Sequence, residues 1–321
     1  MPRDRDLVTG SLAAVVAASL FGMLGPLSRF AADIGIGGLA FASWRATLGF
    51  AFLAVLIVAR GRIRSSAASL RRLDRGGRIS LTTAALSGLV LNAAMFSAFG
   101  RIPIALALML FYLYPAGVVV VAAVLGRESI SPSRVAALLL STAGVVLLLV
   151  GGLGGAGGTP IDLVGVSLAL LAAACQVVFI TVSRDGYRTV PADTATMLIM
   201  VASMVGGAVL ATLVGQGDQL VAPLRTLSPW PILLLAGVIA AGLSSLLFLT
   251  AIRRIGGTRT GILMLLEPVV GTLLAAALLG EALGAVQVVG VALVLAGALV
   301  LQVRSSPETE PLVEAGAGPV V

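Results

Sequence analysis

Hydrophobic residues along the chain fall into ten long runs, separated by short segments rich in Gly, Pro or charged residues. A helix needs roughly 20 apolar residues to cross a hydrocarbon core of about 30 Å, and each run has about that length. In lipid only helices and closed barrels satisfy the backbone, and such long runs are typical of helices. The pattern therefore predicts ten transmembrane helices, called spans 1 to 10, at 8–30, 38–59, 79–100, 104–126, 133–151, 162–183, 193–215, 230–252, 258–280 and 284–303.

Arginines are distributed unevenly between these runs. All 21 basic residues are Arg. If the N-terminus lies inside, 17 of these arginines fall in inside segments and only Arg29, Arg101 and Arg225 fall outside. The remaining one, Arg45, lies within span 2. Positive residues collect on the cytoplasmic side of membrane proteins, so the distribution predicts cytoplasmic termini and an even number of spans. The exclusive use of Arg, with abundant Ala, Gly and Val, suggests a GC-rich bacterial genome. We therefore expect a multi-pass protein of the bacterial cell (inner) membrane.

Composition excludes a soluble domain. Hydrophobic residues make up 59% of the 321 residues and charged residues only 11%, whereas soluble domains carry about 25% charged residues. On a soluble protein the net charge of +7 would suggest nucleic acid, but here the arginines flank membrane helices, so the expected partner is the lipid bilayer and no nucleic acid. With no His and a single Cys, Cys175, a His-based catalytic triad and an internal disulfide are excluded. No cofactor and no metal are predicted.

The second half of the chain repeats the first at an offset of 153 residues. The coincidences that carry weight involve residues other than interchangeable apolar ones: Arg101 with Arg254, Pro115 with Pro268, Glu128 with Glu281, and Gly144 with Gly297. Each half then holds five helices, and because five is odd the second half enters the membrane from the opposite side. The sequence predicts an all-α integral membrane protein with ten transmembrane helices arranged as two inverted five-helix repeats. Many secondary transporters have this architecture, with the binding site near the midplane between the repeats.

The predicted organisation has four parts. Residues 1–150 form the first five-helix repeat, and 161–303 form the second. Between them lies a Gly-rich external linker at 151–160, which contains GGLGGAGG. The acidic end of the chain, 304–321, is expected to be a disordered cytoplasmic tail.

The closing helix pair resembles that of EamA-type members of the drug/metabolite transporter superfamily. The resemblance rests on a Glu-Pro, a Gly-Glu, a Gln and two spaced glycines, which here are Glu267-Pro268, Gly280-Glu281, Gln287, Gly290 and Gly297. The first half carries the signature less completely, because Tyr114-Pro115, Arg127-Glu128 and Arg134 stand at the corresponding positions. The resemblance implies ten helices, cytoplasmic termini and efflux of small metabolites or drugs by alternating access. It does not imply a particular substrate.

Glu267 is an acid about ten residues into span 9, roughly 15 Å deep and so about halfway across the membrane core. An ionised acid at that depth costs roughly 2.5–3.5 kcal/mol, and such acids usually mark ion or substrate pathways. Two interpretations stay open for Glu267. It is either a proton-coupling or cation-binding group, or a structural acid beside a kink.

Pro268 follows Glu267 directly, and Pro115 is its counterpart in span 4. Because proline lacks an N–H, each is expected to kink its helix and to leave the carbonyl four residues earlier, on Met264 or Phe111, without its helical partner. Such carbonyls at mid-depth can coordinate a substrate or a water. The alternative is a kink required only for packing.

Four further polar residues lie in otherwise apolar spans: Tyr112 and Tyr114 in span 4, Asn92 in span 3 and Gln176 in span 6. Tyr114 is the counterpart of Glu267 and is expected at mid-depth, where a phenol can bind a substrate or Glu267 itself. Each polar residue alone is typical of hydrogen bonding between helices. As a set near the midplane, they are candidate lining of a substrate or ion pathway.

Trp44 and Arg45 in span 2 complete the candidate pathway residues. Arg45 lies about seven residues from the outer end of its span, so it is expected to extend to the membrane interface, where Trp44 fits the aromatic belt. The alternative is an arginine that binds an anion or gates the pathway.

Taken together, these features favour a secondary active transporter that exports a small molecule by alternating access, with proton coupling through Glu267 as one form. An enzyme is not expected, because Ser244-Ser245 has neither a His nor an acid cluster beside it, and the chain has no phosphate-binding G-x-x-x-x-G-K-[ST] loop. A non-transporting membrane sensor or structural protein is the alternative. The spacing of Gly290, Ala296 and Gly297 suits close helix packing, including contact in a homodimer.

Overall fold

The structure is a computed structural model that describes residues 2–99, 101–102, 104–126, 131–151, 162–279 and 284–303. Within these ranges the regular structure is entirely helical. The predicted linker and tail, and the residues Glu128, Gly280 and Glu281, lie largely or wholly outside the described residues.

The helices are α1 (Pro2–Gly22), α2 (Leu24–Asp33), α3 (Gly38–Ala59), α4 (Ile63–Arg71), α5 (Arg75–Phe99), α6 (Ile104–Phe111), α7 (Tyr114–Val124), α8 (Pro132–Gly151), α9 (Leu163–Asp185), α10 (Ala192–Leu213), α11 (Gly217–Arg225), α12 (Trp230–Leu234), a π-helical segment (Leu235–Leu243), α13 (Ser244–Ile255), α14 (Gly257–Leu263), α15 (Leu266–Leu279) and α16 (Ala285–Val303).

The predicted spans correspond to these helices. In the described part of the chain nine segments are long and apolar enough to cross a membrane, and the shorter apolar helix Ala285–Val300 lies where span 10 is predicted. Four spans are built from more than one piece: α1 and α2 form span 1, α6 and α7 span 4, α14 and α15 span 9, and α12, the π-helical segment and α13 span 8. The ten runs of hydrophobic residues thus locate the membrane helices correctly.

Two short helices, α4 and α11, lie outside the ten predicted spans. Each has nine residues and directly follows the second span of its repeat, and their starts at Ile63 and Gly217 are 154 residues apart. Each also contacts the start of the second span of the other repeat. Ser66 of α4 hydrogen-bonds Thr194 at 2.8 Å, and Gln219 of α11 accepts the N–H of Gly37 at 2.7 Å. These reciprocal contacts lie at opposite ends of α3, as expected for two repeats of opposite orientation.

Glycines allow the last spans of the two repeats, α8 and α16, to pack closely. A Cβ added to Gly144 would lie 2.6 Å from the carbonyl oxygen of Gly290, and one added to Gly290 would lie 2.7 Å from that of Gly144. Gly297 faces the same helix, beside Ala137 and Ser141. The small residues of α16 are therefore used in packing within the chain, as small residues at membrane helix contacts commonly are.

Spans 4 and 9 are interrupted just before their prolines. Span 4 breaks between Phe111 and Tyr114, and span 9 breaks between Leu263 and Leu266. The expectation of a free carbonyl on Met264 is wrong, because this carbonyl accepts the N–H of Glu267 at 2.9 Å in a tightened turn. The largest cluster of buried apolar side chains surrounds both breaks.

The bundle has two ends, defined here by α3. Its C-terminal end, which carries Arg60 and Arg62, is called the arginine-rich end. The end at Gly38 is called the opposite end.

Candidate functional site

Glu267 lies in the first turn of α15, immediately after the break in span 9. Its side chain is partly buried and hydrogen-bonds the side chain of Tyr112, which lies at the break in span 4. It also interacts electrostatically with Arg45 of α3. The acid comes from the second repeat and both partners come from the first, so the three residues join the two halves of the protein.

Arg45 is held by Asn92. Its guanidinium donates a hydrogen bond to the Asn92 side-chain oxygen, and the Asn92 amide donates to the carbonyl of Gly88 at 2.7 Å. The expectation that Arg45 extends to the outer interface is wrong, because these contacts hold its guanidinium inside the bundle. Asn92 fixes the direction of the arginine that interacts with Glu267.

Tyr112 and Tyr114 form an aromatic cluster with Phe111 beside the acid. The two tyrosines are 4% and 2% exposed, and the Phe111 ring centre lies 5.3 Å from that of Tyr112 and 5.2 Å from that of Tyr114. Tyr114 interacts electrostatically with Glu267. A Cβ added to Gly261 of α14 would lie 3.7 Å from the Tyr114 ring, so the broken parts of spans 4 and 9 pack against each other.

Gly22 is a further residue beside the candidate site, and the sequence pattern does not single it out. A Cβ added there would lie 2.8 Å from the backbone carbonyl oxygen of Glu267 and 2.9 Å from the Cβ of Val270. Span 1 therefore packs tightly against span 9 at the acid. The only signal in the sequence was a glycine within an apolar run, which is common in membrane helices.

Trp44 lies outside this cluster. The Trp44 indole donates to the carbonyl of Leu220 in α11 at 3.1 Å and packs edge-on against Trp230 at 5.6 Å, near the opposite end of the bundle. Gln176 is partly buried on α9, and its place in the pathway stays a prediction. Among the described residues, no group of three His, Cys, Asp or Glu side chains is arranged to hold a metal ion.

A second set of polar residues joins the two repeats at the arginine-rich end. Asp193, at the start of α10, is only 3% exposed, and its Oδ2 lies 2.7 Å from the Arg62 guanidinium and 3.9 Å from that of Arg60. Its Oδ1 accepts the backbone N–H of Thr194 at 2.7 Å. Because Arg60 and Arg62 belong to the first repeat and Asp193 to the second, this ion pair also joins the repeats.

Arg253 and Tyr187 form a further contact at the same end. The Arg253 guanidinium donates to the carbonyls of Val190 at 2.8 Å and Tyr187 at 3.2 Å, and it lies 5.2 Å from the centre of the Tyr187 ring. Burial raises the pKa of Tyr187 to about 12, so its hydroxyl stays protonated next to Ser183, 2.5 Å away. These contacts tie the ends of spans 6, 7 and 8 together.

The opposite end contains a cavity of about 610 Å³. Arg101 and Asp162 form an ion pair of 3.0 Å in its lining, where the hydrogen bond from Arg101 holds the pKa of Asp162 below its ordinary value. On α3 the lining residue Leu39 is six residues from Arg45, or about 9 Å along the helix. The cavity is lined by Gly38, Leu39, Ser97, Arg101, Asp162, Val214 and Gln216.

Comparison with known families decides the classification. The model of the EamA-like transporter family matches residues 8–150 and 163–303. The chain belongs to the EamA-like transporter family. The two matched segments correspond to the two five-span repeats, which confirms both the resemblance seen in the Glu267-Pro268 region and the ten-helix fold of a multi-pass membrane protein.

Solved structures agree on the fold. The crystal structure of another protein is similar to this chain, with a TM-score of 0.74 and 23% sequence identity over 91% of this chain and 96% of the other. At that identity the similarity shows the fold alone. No curated protein matches the chain.

Proposed function

We propose that this EamA-like protein is a secondary active exporter of a small metabolite or drug, driven by protons that bind and leave Glu267. The observation that carries the proposal is the position of Glu267. It lies at a helix break, and it contacts Tyr112 and Arg45 of the other repeat.

Antiport requires that the proton and the substrate exclude each other. Ionised Glu267 balances the charge of Arg45, which Asn92 holds within the bundle. When Glu267 is protonated, it no longer offers a charge to a substrate, and its hydrogen bond with Tyr112 weakens because the acceptor is no longer charged. A substrate that uses the ionised carboxylate is therefore released when a proton arrives. Exchange at one carboxylate gives obligatory coupling without a second ion site.

In alternating access, the site around Glu267 opens to one side of the membrane at a time. The contacts around Asp193 and Arg253 close the arginine-rich end, whereas the opposite end contains the cavity near Arg101. The excess of arginines favours the cytoplasm for the closed end, and both chain termini then belong to the cytoplasmic side of a bacterial inner membrane. In this state protons arrive from outside and substrate leaves to the outside.

The test is transport by the purified protein in liposomes. A screen of amino acids, nucleobases, sugars and cationic drugs identifies a transported compound, and the flux of that compound is then measured with and without a pH gradient. Glu267→Gln should lower gradient-driven flux at least about tenfold, because the amide neither binds nor releases a proton at neutral pH.

A matched control separates coupling from damage to the site. Asp6→Asn removes an acid that lies neither in the Glu267 cluster nor in the cavity lining, and it should leave gradient-driven flux within about twofold of wild type, because its exposed ion pair with Arg254 contributes little. Substrate exchange without a gradient should also be lost in Glu267→Gln, because the amide, like the protonated acid, offers no charge to the substrate. Full gradient-driven flux in this variant would refute the coupling role, and the absence of flux for every compound would favour a non-transporting protein.

A further inference from the structure

Positive charge exceeds negative charge around Asp193 at the arginine-rich end. Arg60 and Arg62 both approach this carboxylate, and Arg253 interacts with it electrostatically. The nearby Arg188 has its own acid, Asp185, at 3.3 Å. Three guanidinium groups thus share one carboxylate, which leaves two positive charges unbalanced within this group.

The geometry leaves one of these arginines incompletely paired. Arg62 and Arg60 approach the same oxygen, Oδ2 of Asp193, at 2.7 Å and 3.9 Å, while Oδ1 is used by the N–H of Thr194. The second distance is too long for a hydrogen bond. Asp193 therefore satisfies Arg62 and only attracts Arg60.

The two arginines are accessible, whereas their acid is not. The side chains of Arg60 and Arg62 are 52% and 39% exposed, but that of Asp193 is 3% exposed. An anion from the surroundings reaches the guanidinium groups from the side opposite to Asp193. It needs no opening of the bundle to arrive.

We propose that Arg60 and Arg62 form a binding site for a phosphate group, which competes with Asp193 for Arg62. A phosphate offers several oxygens and up to two negative charges, so it can pair with both guanidinium forks at once and balance the excess charge. A carboxylate with one oxygen already engaged cannot do so. The phosphate comes either from a soluble phosphorylated compound or from the headgroup of an anionic lipid, since both carry the same group.

Occupation of this site weakens a contact between the repeats. Arg62 and Asp193 belong to different repeats, so a phosphate that draws Arg62 away loosens the closed arginine-rich end. This consequence rests on the proposed alternating-access function. The binding itself does not, because it requires only the geometry of the two arginines.

The experiment measures binding of radiolabelled inorganic phosphate to the full-length protein in nanodiscs of phosphatidylcholine. Asp193→Asn removes the competing charge and should tighten phosphate binding about tenfold, whereas Arg62→Gln should weaken it about tenfold, each corresponding to about 1.4 kcal/mol. Arg64→Gln is the matched control, because Arg64 is exposed in the first turn of α4, two residues after Arg62, and is not among the arginines that approach Asp193. It should leave the affinity within about twofold of wild type, as expected for a charge outside the site.

Several outcomes would refute the proposed phosphate site. Equal losses in Arg64→Gln and Arg62→Gln would indicate a nonspecific basic surface, and unchanged affinity in a folded Asp193→Asn protein would remove the competition. If Asp193→Asn does not fold, the exposed Arg60→Gln is the second test, and unchanged phosphate affinity there would refute the site equally.

A second nanodisc composition distinguishes the two sources of phosphate. In discs of equal parts phosphatidylcholine and phosphatidylglycerol, loss of inorganic phosphate binding supports the lipid headgroup as the occupant, and retained binding supports a soluble compound. No phosphate binding in pure phosphatidylcholine discs contradicts the proposal. Because none of these measurements uses transport, their failure leaves the proposed exporter function untouched, and failure of the export screen leaves this site untouched.

Discussion

The backbone of Gly22 lies against the backbone carbonyl of Glu267, so that an added Cβ would come within 2.8 Å of that oxygen. This contact sets the distance between spans 1 and 9 at the acid. Small residues allow membrane helices to approach in this way, and only glycine fits here without displacement.

Gly22→Ala should therefore displace span 1 from the site. The new methyl group meets backbone rather than a flexible side chain, and overpacking of this kind costs about 1–3 kcal/mol. We expect a lower free energy of unfolding and a loss of transport of about tenfold, measured by denaturant titration in detergent and by flux in liposomes. Gly25→Ala is the control, because an added Cβ at Gly25 would meet no described atom within 4 Å. Equal behaviour of the two variants would show that the contact at Gly22 is not limiting.

The membrane helices could be predicted from the sequence because their signal is local. A run of apolar residues has to be long enough to cross the bilayer, and that requirement places each span without knowledge of its neighbours. The repeat at an offset of 153 residues can also be found from the sequence, because it requires only an alignment of one half with the other. The structure repeats it in three dimensions: Gly165 packs against Arg101 and Ile102 as Gly10 packs against Arg254 and Ile255.

The polar contacts between spans could not be predicted in the same way. In the sequence Asp193 is an acid at a helix start, where its charge is stabilised by the helix dipole. Nothing nearby in the sequence indicates its partner Arg62, which is 131 residues away. Arg45 was placed by counting residues to the end of its span. The direction of its side chain depends instead on the rotation of α3 about its axis, which is set by packing against α10 and the π-helical segment.

Arg45 and Glu267 should affect stability as a pair. Removing one partner leaves the other charge uncompensated within the bundle, so Glu267→Gln and Arg45→Met alone should each lower the free energy of unfolding by about 2 kcal/mol or more. The double variant replaces both charges and should recover most of that loss. Denaturant titrations of the four proteins give the coupling free energy. Strictly additive losses would show that the two charges do not interact in the folded protein.

The ion pair of Arg101 and Asp162 should make the free energy of unfolding depend on pH under acidic conditions. The hydrogen bond from Arg101 lowers the folded-state pKa of Asp162 below its ordinary value of 3.8. The stabilisation is therefore fully present above that ordinary value, and it is lost as the pH falls through the lowered pKa of the folded state. The difference in unfolding free energy between wild type and Asp162→Asn should stay constant from about pH 7 to pH 5 and then shrink below about pH 4.

Asn is a suitable replacement in that comparison. Asp162 also accepts the N–H of Val164 at 2.8 Å as the cap of α9, and Asn caps helices about as well as Asp. The substitution therefore removes the charge and keeps the cap. Arg101→Gln should reduce the same pH dependence, because it removes the main cause of the lowered pKa. A difference that does not change with pH would assign the role of Asp162 to capping alone.

Cross-linking Ser66 to Thr194 should lock the arginine-rich end. Their hydroxyl oxygens are 2.8 Å apart, so cysteines at both positions lie within reach of a disulfide. The background is Cys175→Ser, which removes the native thiol. Oxidation of Ser66→Cys/Thr194→Cys should abolish transport if this end has to open in each cycle, and reduction should restore it.

Ser65→Cys/Thr194→Cys is the matched control. Ser65 is exposed and its hydroxyl donates to the carbonyl of Arg62, so its cysteine points away from Thr194 and oxidation should leave transport unchanged. A fully cross-linked Ser66 and Thr194 pair that still transports would mean that α4 and α10 move together and that the opening lies elsewhere.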